Sequence, residues 1–205
     1  MKPTDAEFAT MKSDAAQWAR ERLADPKSVV IDCETSGILR MDPDTEMCQL
    51  AIMDTKGKPL FCMLLKTATP MKEEVIGIHG ITNEQIVNQP IFSQVAKMIA
   101  FVLEGKHVMA YNADFDISLL VHLFKKYQLP APKFEASCVM DKYSEWKGEW
   151  NDKKDGVRWQ KLPNLSGLAA HDAYSDCVST LKVMEMMAGE YDPAAVEADS
   201  INLDF

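Results

Sequence analysis

The chain has 205 residues, 47% of them apolar, and a formal net charge of −9. That length fits one domain with a sizeable core. The acidity argues against the broad basic surface by which many proteins hold a polyanion, leaving phosphate recognition to bound cations or a small basic patch. No apolar run approaches membrane-spanning length, and Met1 to Thr10 lacks the charged-then-apolar layout of a leader, so the expectation is a cytoplasmic protein with no membrane partner. Its five cysteines (Cys33, Cys48, Cys62, Cys138 and Cys177) show neither zinc spacing nor a disulfide framework, and are expected to be reduced core thiols.

In chain order, Phe8, Met11, Ala15, Trp18 and Leu23 fall at near-helical spacing and predict a helix over 5–23, packed outside the main sheet and ending before Pro26. Strand-like runs follow at 28–34, 47–54 and 59–65, the last two joined by a turn at Thr55–Lys58. A short helix is expected between Pro70 and Gly80, a turn capped by Thr82, and a longer helix over 91–104. A strand at 107–111, a helix over 114–127, a strand at 134–140 and a helix over 172–188 complete the pattern. Hairpins first and alternating helix and strand later predict an α/β fold with a mixed sheet covered by helices. The tail 190–205 holds five acids and no base, and is expected to be loosely ordered.

Within this pattern several acids stand where apolar residues belong. Asp32 and Glu34 alternate with Cys33 in the first strand run, so the two acids share one face. Two like charges that close need a cation between them, or else lie solvated at a strand end. On helix 114–127 the apolar stripe Leu119, Leu120, Leu123, Phe124 extends backward onto Asp116, while Asp114 shares a face with Ser118 and Val121. An acid heading a core-facing stripe is either a helix cap or a ligand. In the last helix Asp172 is the natural N-cap and Asp176 lies one turn in, with His171 just ahead. A histidine there is suited to accepting a proton from water near neutral pH. Asp32, Glu34, Asp116 and Asp176 together offer enough oxygens for two hard divalent ions. Such a pair suits in-line phosphoryl displacement, one ion activating water and the other stabilising the leaving oxygen.

These residues resemble the DnaQ-like, or DEDDh, 3′–5′ exonucleases. The resemblance is carried by Ile31-Asp32-Cys33-Glu34-Thr35-Ser36-Gly37, Tyr111-Asn112-Ala113-Asp114-Phe115-Asp116, His171-Asp172-Ala173-Tyr174-Ser175-Asp176 and the segment His79-Gly80-Ile81-Thr82, in that family's order. It implies a ribonuclease H-like fold with an exonuclease domain over 28–188, a helical extension at 1–27 and an acidic tail at 189–205. It also implies that Asp32, Glu34, Asp116 and Asp176 hold two Mg²⁺ ions, with Mn²⁺ able to substitute, and that His171 is the general base. Thr35, Ser36 and Gly37 would seat the terminal nucleotide through backbone amides. Ile38 and Ile81 would lie near its base, His79 beside it, and Asn112 and Phe115 would brace the site. Tyr111 stands where many members carry His, and Tyr174-Ser175 replaces a more usual Leu-containing pair. Neither departure removes a ligand or the base.

The implied substrate is a DNA 3′ end, single-stranded by expectation, releasing 5′-mononucleotides. An exoribonuclease and a non-catalytic nucleic-acid or polymerase-binding module are the alternatives, the second disfavoured because no ligand is missing. Two further segments bear on partners. Residues 141–161 interleave Trp146, Trp150 and Trp159 with Lys and Arg, either to stack unpaired bases or to pack on the core. Ile201-Asn202-Leu203-Asp204-Phe205 loosely resembles peptides that dock into the bacterial sliding clamp.

Overall fold

In the computed structural model, which describes residues 2–168 and 171–192, everything is arranged about one buried strand. Helix α1 (Asp5–Ala24) leads into β1 (Ser28–Thr35), β2 (Met47–Asp54) and β3 (Pro59–Leu64). Short helices α2 (Glu73–His79) and α3 (Asn83–Ile86) precede α4 (Phe92–Leu103), β4 (His107–Ala110), α5 (Ala113–Lys126) and β5 (Glu135–Cys138). Helix α6 (Val139–Lys147), a small hairpin β6 (Trp150–Asn151) and β7 (Gly156–Val157), and α7 (Ala173–Ala188) follow. The five main strands run in the order β3-β2-β1-β4-β5. β1 is antiparallel to β2 and parallel to β4, so it stands in the middle of a mixed sheet.

The sheet is covered on both faces, and the alternation of β1 decides which residue meets which layer. Val29, Ile31 and Cys33 pack with Leu119, Leu120 and Phe124 of α5 and with Ile99 of α4. Val30 points the other way, into a cluster with Ala19 and Leu23 of α1, Met109, and Cys177, Leu181 and Met184 of α7. A strand buried on both faces reads as a continuous apolar run, which Val29–Ile31 does. Helix α1, expected to pack outside the main sheet, forms part of the second covering layer. Ala15, Ala19 and Leu23 are buried there, because small residues let it lie close to α7.

Most boundaries shift by a residue or so, and two of the shifts bear on the site. The strand expected at 134–140 stops at Cys138, and Val139 begins α6, its side chain fully buried in the α7-side cluster. The 107–111 strand stops at Ala110. All five cysteines are free, but Cys62 on β3 is exposed and Cys138 only half-buried, so the core-thiol expectation fits Cys33, Cys48 and Cys177 alone. The clamp-like segment and most of the acidic tail lie outside the described residues. Among those described, no helix is long and apolar enough to cross a membrane.

Candidate active site

The short strand β4 creates the site. It pairs with Ser28, Val29 and Val30 of β1 and goes no further, so the remainder of β1 has no strand on that edge. The backbone N–H of Cys33 would be an orphan there, and a buried orphan donor costs roughly 1–3 kcal/mol. Asp116, on the first turn of α5, accepts it at 2.9 Å through Oδ1. The acid heading the apolar stripe is buried to 3% exposure, whereas Asp114 faces solvent. The N-cap of α5 is Asn112 and makes no side-chain cap bond, so capping does not account for Asp116. The resulting crevice lies beyond the carboxyl ends of two neighbouring parallel strands, where open α/β sheets place their ligands.

On the other face, α7 lies against β1 and β2. Fully buried Cys177 directs its Sγ toward the carbonyls of Val30 (3.9 Å) and Ala51 (3.7 Å), which seats the first turn of α7 on the sheet. The adjacent Asp176 is thereby carried to the end of β1. Ligand oxygens of Asp32, Glu34 and Asp176 all come within 4.8 Å of one another. Asp116 stands just outside that trio but lines the same cavity, of about 500 Å³.

The electrostatics show what the trio lacks. Among the described residues no Lys or Arg forms an ion pair with any of the four acids. Burial, then the charges of Asp116, Glu34 and Asp176, holds the Asp32 carboxyl well above the usual range. Burial followed by the Asp176 charge pushes Glu34, only 8% exposed, up to about 8. Burial also raises Asp116 and Asp176, the latter partly offset by the nearby charge of His171. Converging buried carboxylates that repel their own ionised forms need positive charge, and oxygen-only donors fit hard divalent cations such as Mg²⁺ or Mn²⁺.

His171 is exposed, sits at the cavity edge in a left-handed backbone conformation (φ 57°), and lies one turn ahead of Asp176. Its position depends on how the α7 N-terminus is held. Asp172 caps that helix by accepting from Ser175 N–H at 3.0 Å through Oδ1. Gln49 of β2, buried opposite Glu34, then grips both ends of the cap: its Nε2 donates to Asp172 Oδ2 at 2.8 Å, and its Oε1 accepts from Ala173 N–H at 3.0 Å. Sequence reasoning missed Gln49. The signal was available, as an amide inside the otherwise apolar run Met47–Met53.

The remaining expected residues divide. Thr35, Gly37, Ile38, His79, Asn112 and Phe115 line the cavity with the acids. Gly37 allows close approach of the turn to its neighbour, since a Cβ there would meet Thr45 Oγ1 at 3.2 Å. Ser36 is placed differently from the expectation. Its amide donates to the Glu46 carbonyl at 2.8 Å and its hydroxyl accepts from the Glu46 amide at 2.9 Å, so the backbone amide expected to seat a nucleotide is already committed. Ile81 is also placed differently, buried with Cys48, Met71 and Ile86 and absent from the cavity wall. Its neighbour Ile78, 60% exposed, lines the cavity instead. His79 links the two segments: its Nδ1 accepts from Ile81 N–H at 3.0 Å, while its Nε2 faces Cys48 Sγ at 3.7 Å.

Comparison with known proteins agrees with this geometry. The RNase T exonuclease family model matches residues 29–184. An uncharacterized exonuclease, CP81, of Escherichia phage 186 is 30% identical over 193 residues, covering 88% of this chain and 95% of its own. The DNA polymerase III epsilon subunit of Escherichia coli K12 is 25% identical over 119 residues, 55% of this chain and 49% of that subunit, so the chain spans about half of it. Among solved structures, E. coli exonuclease I in complex with a dA16 oligonucleotide superposes with a TM-score of 0.58 at 18% identity, covering 78% of this chain and 40% of that one. The nuclease domain of 3′hExo, a DEDDh family member bound to rAMP, gives 0.52 at 16% identity, over 80% and 94% respectively.

Proposed function

Because the chain belongs to the RNase T exonuclease family, of DnaQ-like type, we propose that it removes nucleotides one at a time from the 3′ end of DNA, releasing 5′-mononucleotides. One observation carries the reading: the carboxylates of Asp32, Glu34 and Asp176 converge within 4.8 Å in a cavity edged by His171, with no Lys or Arg paired to them among the described residues. Asp32, Glu34 and Asp176, with Asp116 beside them, are the residues that would hold divalent metal ions. When bound, such ions supply Lewis acidity toward the phosphodiester and the charge that an acidic protein lacks.

The protein's own groups do the rest. Phe115 and Ile38 on the cavity wall take the apolar faces of the terminal nucleotide, which sets its phosphodiester against the carboxylates. His171 accepts the proton of the attacking water, which its exposed position at the cavity edge permits. The new bond joins water oxygen to phosphorus, the bond to the 3′ oxygen of the penultimate nucleotide breaks, and the mononucleotide departs. Asp116 steadies β1 through Cys33 N–H, so that Asp32 and Glu34 keep their spacing. The DNA preference draws on the relatives named as DNA polymerase III epsilon subunits; the alternative is RNA, in keeping with the structural neighbour bound to rAMP. Digestion of matched, 5′-labelled DNA and RNA strands with Mg²⁺, with Mn²⁺ and with EDTA tests this. A ladder shortening from the 3′ end on DNA, abolished by EDTA, is expected. Shortening of RNA alone would overturn the sugar assignment, and internal fragments would overturn the direction.

A further inference from the structure

Of the three tryptophans in 141–161, two are spoken for. Trp146 stacks on Tyr143 with ring centroids 6.0 Å apart and carries Lys12 over its face at 4.8 Å. Trp150 meets Phe8 of α1 edge-on at 6.4 Å. Both tie α1 to the segment beside it, which is the core-packing alternative. Trp159 differs. It is 64% exposed, follows the β6–β7 hairpin directly, and makes no ring–ring contact among the described residues. Lys154 Nζ lies 5.1 Å from its ring.

A second cavity, of about 510 Å³, joins Trp159 to the active site. Trp159, Lys161 and Leu162 form part of its wall, and it shares Tyr111, Leu162, His171 and Asp176 with the carboxylate cavity. The hydroxyl of Tyr111 donates to the Gln160 carbonyl at 3.0 Å, and the Gln160 amide donates to Ser144 Oγ at 3.2 Å, so this stretch of chain is pinned to β4 and α6. On its far side Trp159 borders a third recess with Lys154 and Arg158. With the terminal nucleotide against Ile38 and Phe115 and its phosphodiester at Asp176, the strand behind that bond has the Trp159 cavity ahead of it. We propose that this cavity is an upstream subsite for single-stranded nucleic acid, in which Trp159 stacks an unpaired base and Lys161 faces the phosphates, with Lys154 beside the ring in the adjoining recess. Stacking is indifferent to base identity and needs a base free of its partner, so the subsite selects for an unpaired 3′ tail longer than the nucleotides in the catalytic cavity.

The inference rests on the exonuclease reading, and its test separates the two. Full-length wild type, Trp159→Ala and Trp159→Phe are compared on a 5′-labelled dinucleotide and on a single strand of about 12 nucleotides. Binding of the longer strand is measured alongside in EDTA by fluorescence anisotropy. For Trp159→Ala, KM and Kd on the long strand are expected to rise about tenfold. Its kcat and its dinucleotide kinetics should be unchanged, and Trp159→Phe should restore most of the affinity. Equal kinetics of Trp159→Ala and wild type on the long strand would overturn the subsite alone. Equal impairment on both substrates would also overturn it, exposing a structural role. A wild type that cleaves neither substrate with Mg²⁺ or Mn²⁺ would overturn the exonuclease reading itself.

Discussion

The parallel pair β1 and β4 has a cavity at each end, and the two are close in size, about 500 Å³ at the carboxyl ends and about 450 Å³ at the amino ends. They differ in how charge is arranged. At the amino end both signs are present and face one another: Arg22 lies 3.6 Å from Asp25 and hydrogen-bonds His107 at 2.8 Å, and His107 lies 3.4 Å from Glu135. At the carboxyl end four acids gather without a Lys or Arg paired to them among the described residues. A folded chain gains nothing from that arrangement by itself, because each ionised neighbour raises the cost of the next. Buried acids left without a cationic partner therefore mark the candidate working end, whereas at the amino end each acid of the cavity meets a base.

The largest expected difference between the ends is in catalysis. Asp32→Ala and Asp176→Ala should each lower cleavage roughly a thousandfold or more, while Lys106→Ala at the amino end leaves it unchanged. His171→Ala should slow turnover by about a hundredfold yet bind Mn²⁺ as wild type does, since it is placed as base and not as ligand. Full activity in either Asp variant, with circular dichroism unchanged, breaks the comparison.

Stability against pH gives the next effect, and the two ends have opposite signs. The Glu34 carboxyl is raised from 4.5 to about 8. Below the lower value the folded and unfolded chains both hold the proton and its contribution is full. Between the two values the unfolded chain ionises first, so stability drains away as pH rises through the folded value. In EDTA, unfolding free energy should fall between about pH 5 and about pH 8, by an amount on the order of a few kcal/mol that is read as a falling melting temperature, and Glu34→Gln should flatten the fall. Mg²⁺ should restore more at the higher pH, because only the folded chain assembles its ligands. His107 is depressed, by burial and then Arg22, so its contribution is lost as pH falls below its ordinary value of 6.5. Melts showing no loss toward high pH in EDTA would contradict the electrostatic picture of the crevice.

The smallest effect falls on Gln49, which touches no acid of the trio. Gln49→Leu leaves Asp172 Oδ2 and Ala173 N–H without their strand partner, and should cost about 1–3 kcal/mol. If Gln49 aligns His171 and Asp176, kcat should drop about tenfold with KM little altered, and hydrogen exchange should quicken at the start of α7. Exchange that quickens without loss of kcat would reduce Gln49 to a structural clamp.

Much of this was legible from local rules. Periodicity marked α4, α5 and α7, and an acid on the apolar stripe of α5 singled out Asp116 over Asp114 before its partner was known. What escaped depends on partners distant in sequence. Nothing local says that Ser36 pairs with Glu46, or that the cavity takes Ile78 and not Ile81, because α2 ends at Gly80, whose left-handed conformation turns the chain between the two. The three tryptophans carry the same composition signal. Only the approach of α1, with Phe8 and Lys12, separates the two that pack from the one left open.

The early stop of β4 has a further consequence. The distance from its last paired residue to Asp116 is a length of chain, Tyr111 to Phe115, and that length acts as a gauge. One residue more in β4 would extend its pairing by a single step along β1 and rotate Asp116 about 100° around the axis of α5, away from Cys33 N–H. Every acid would still be present in the sequence, but Asp116 would no longer stand beside the other three. A lineage of this fold can thus be silenced by a change in spacing, without loss of a single catalytic side chain.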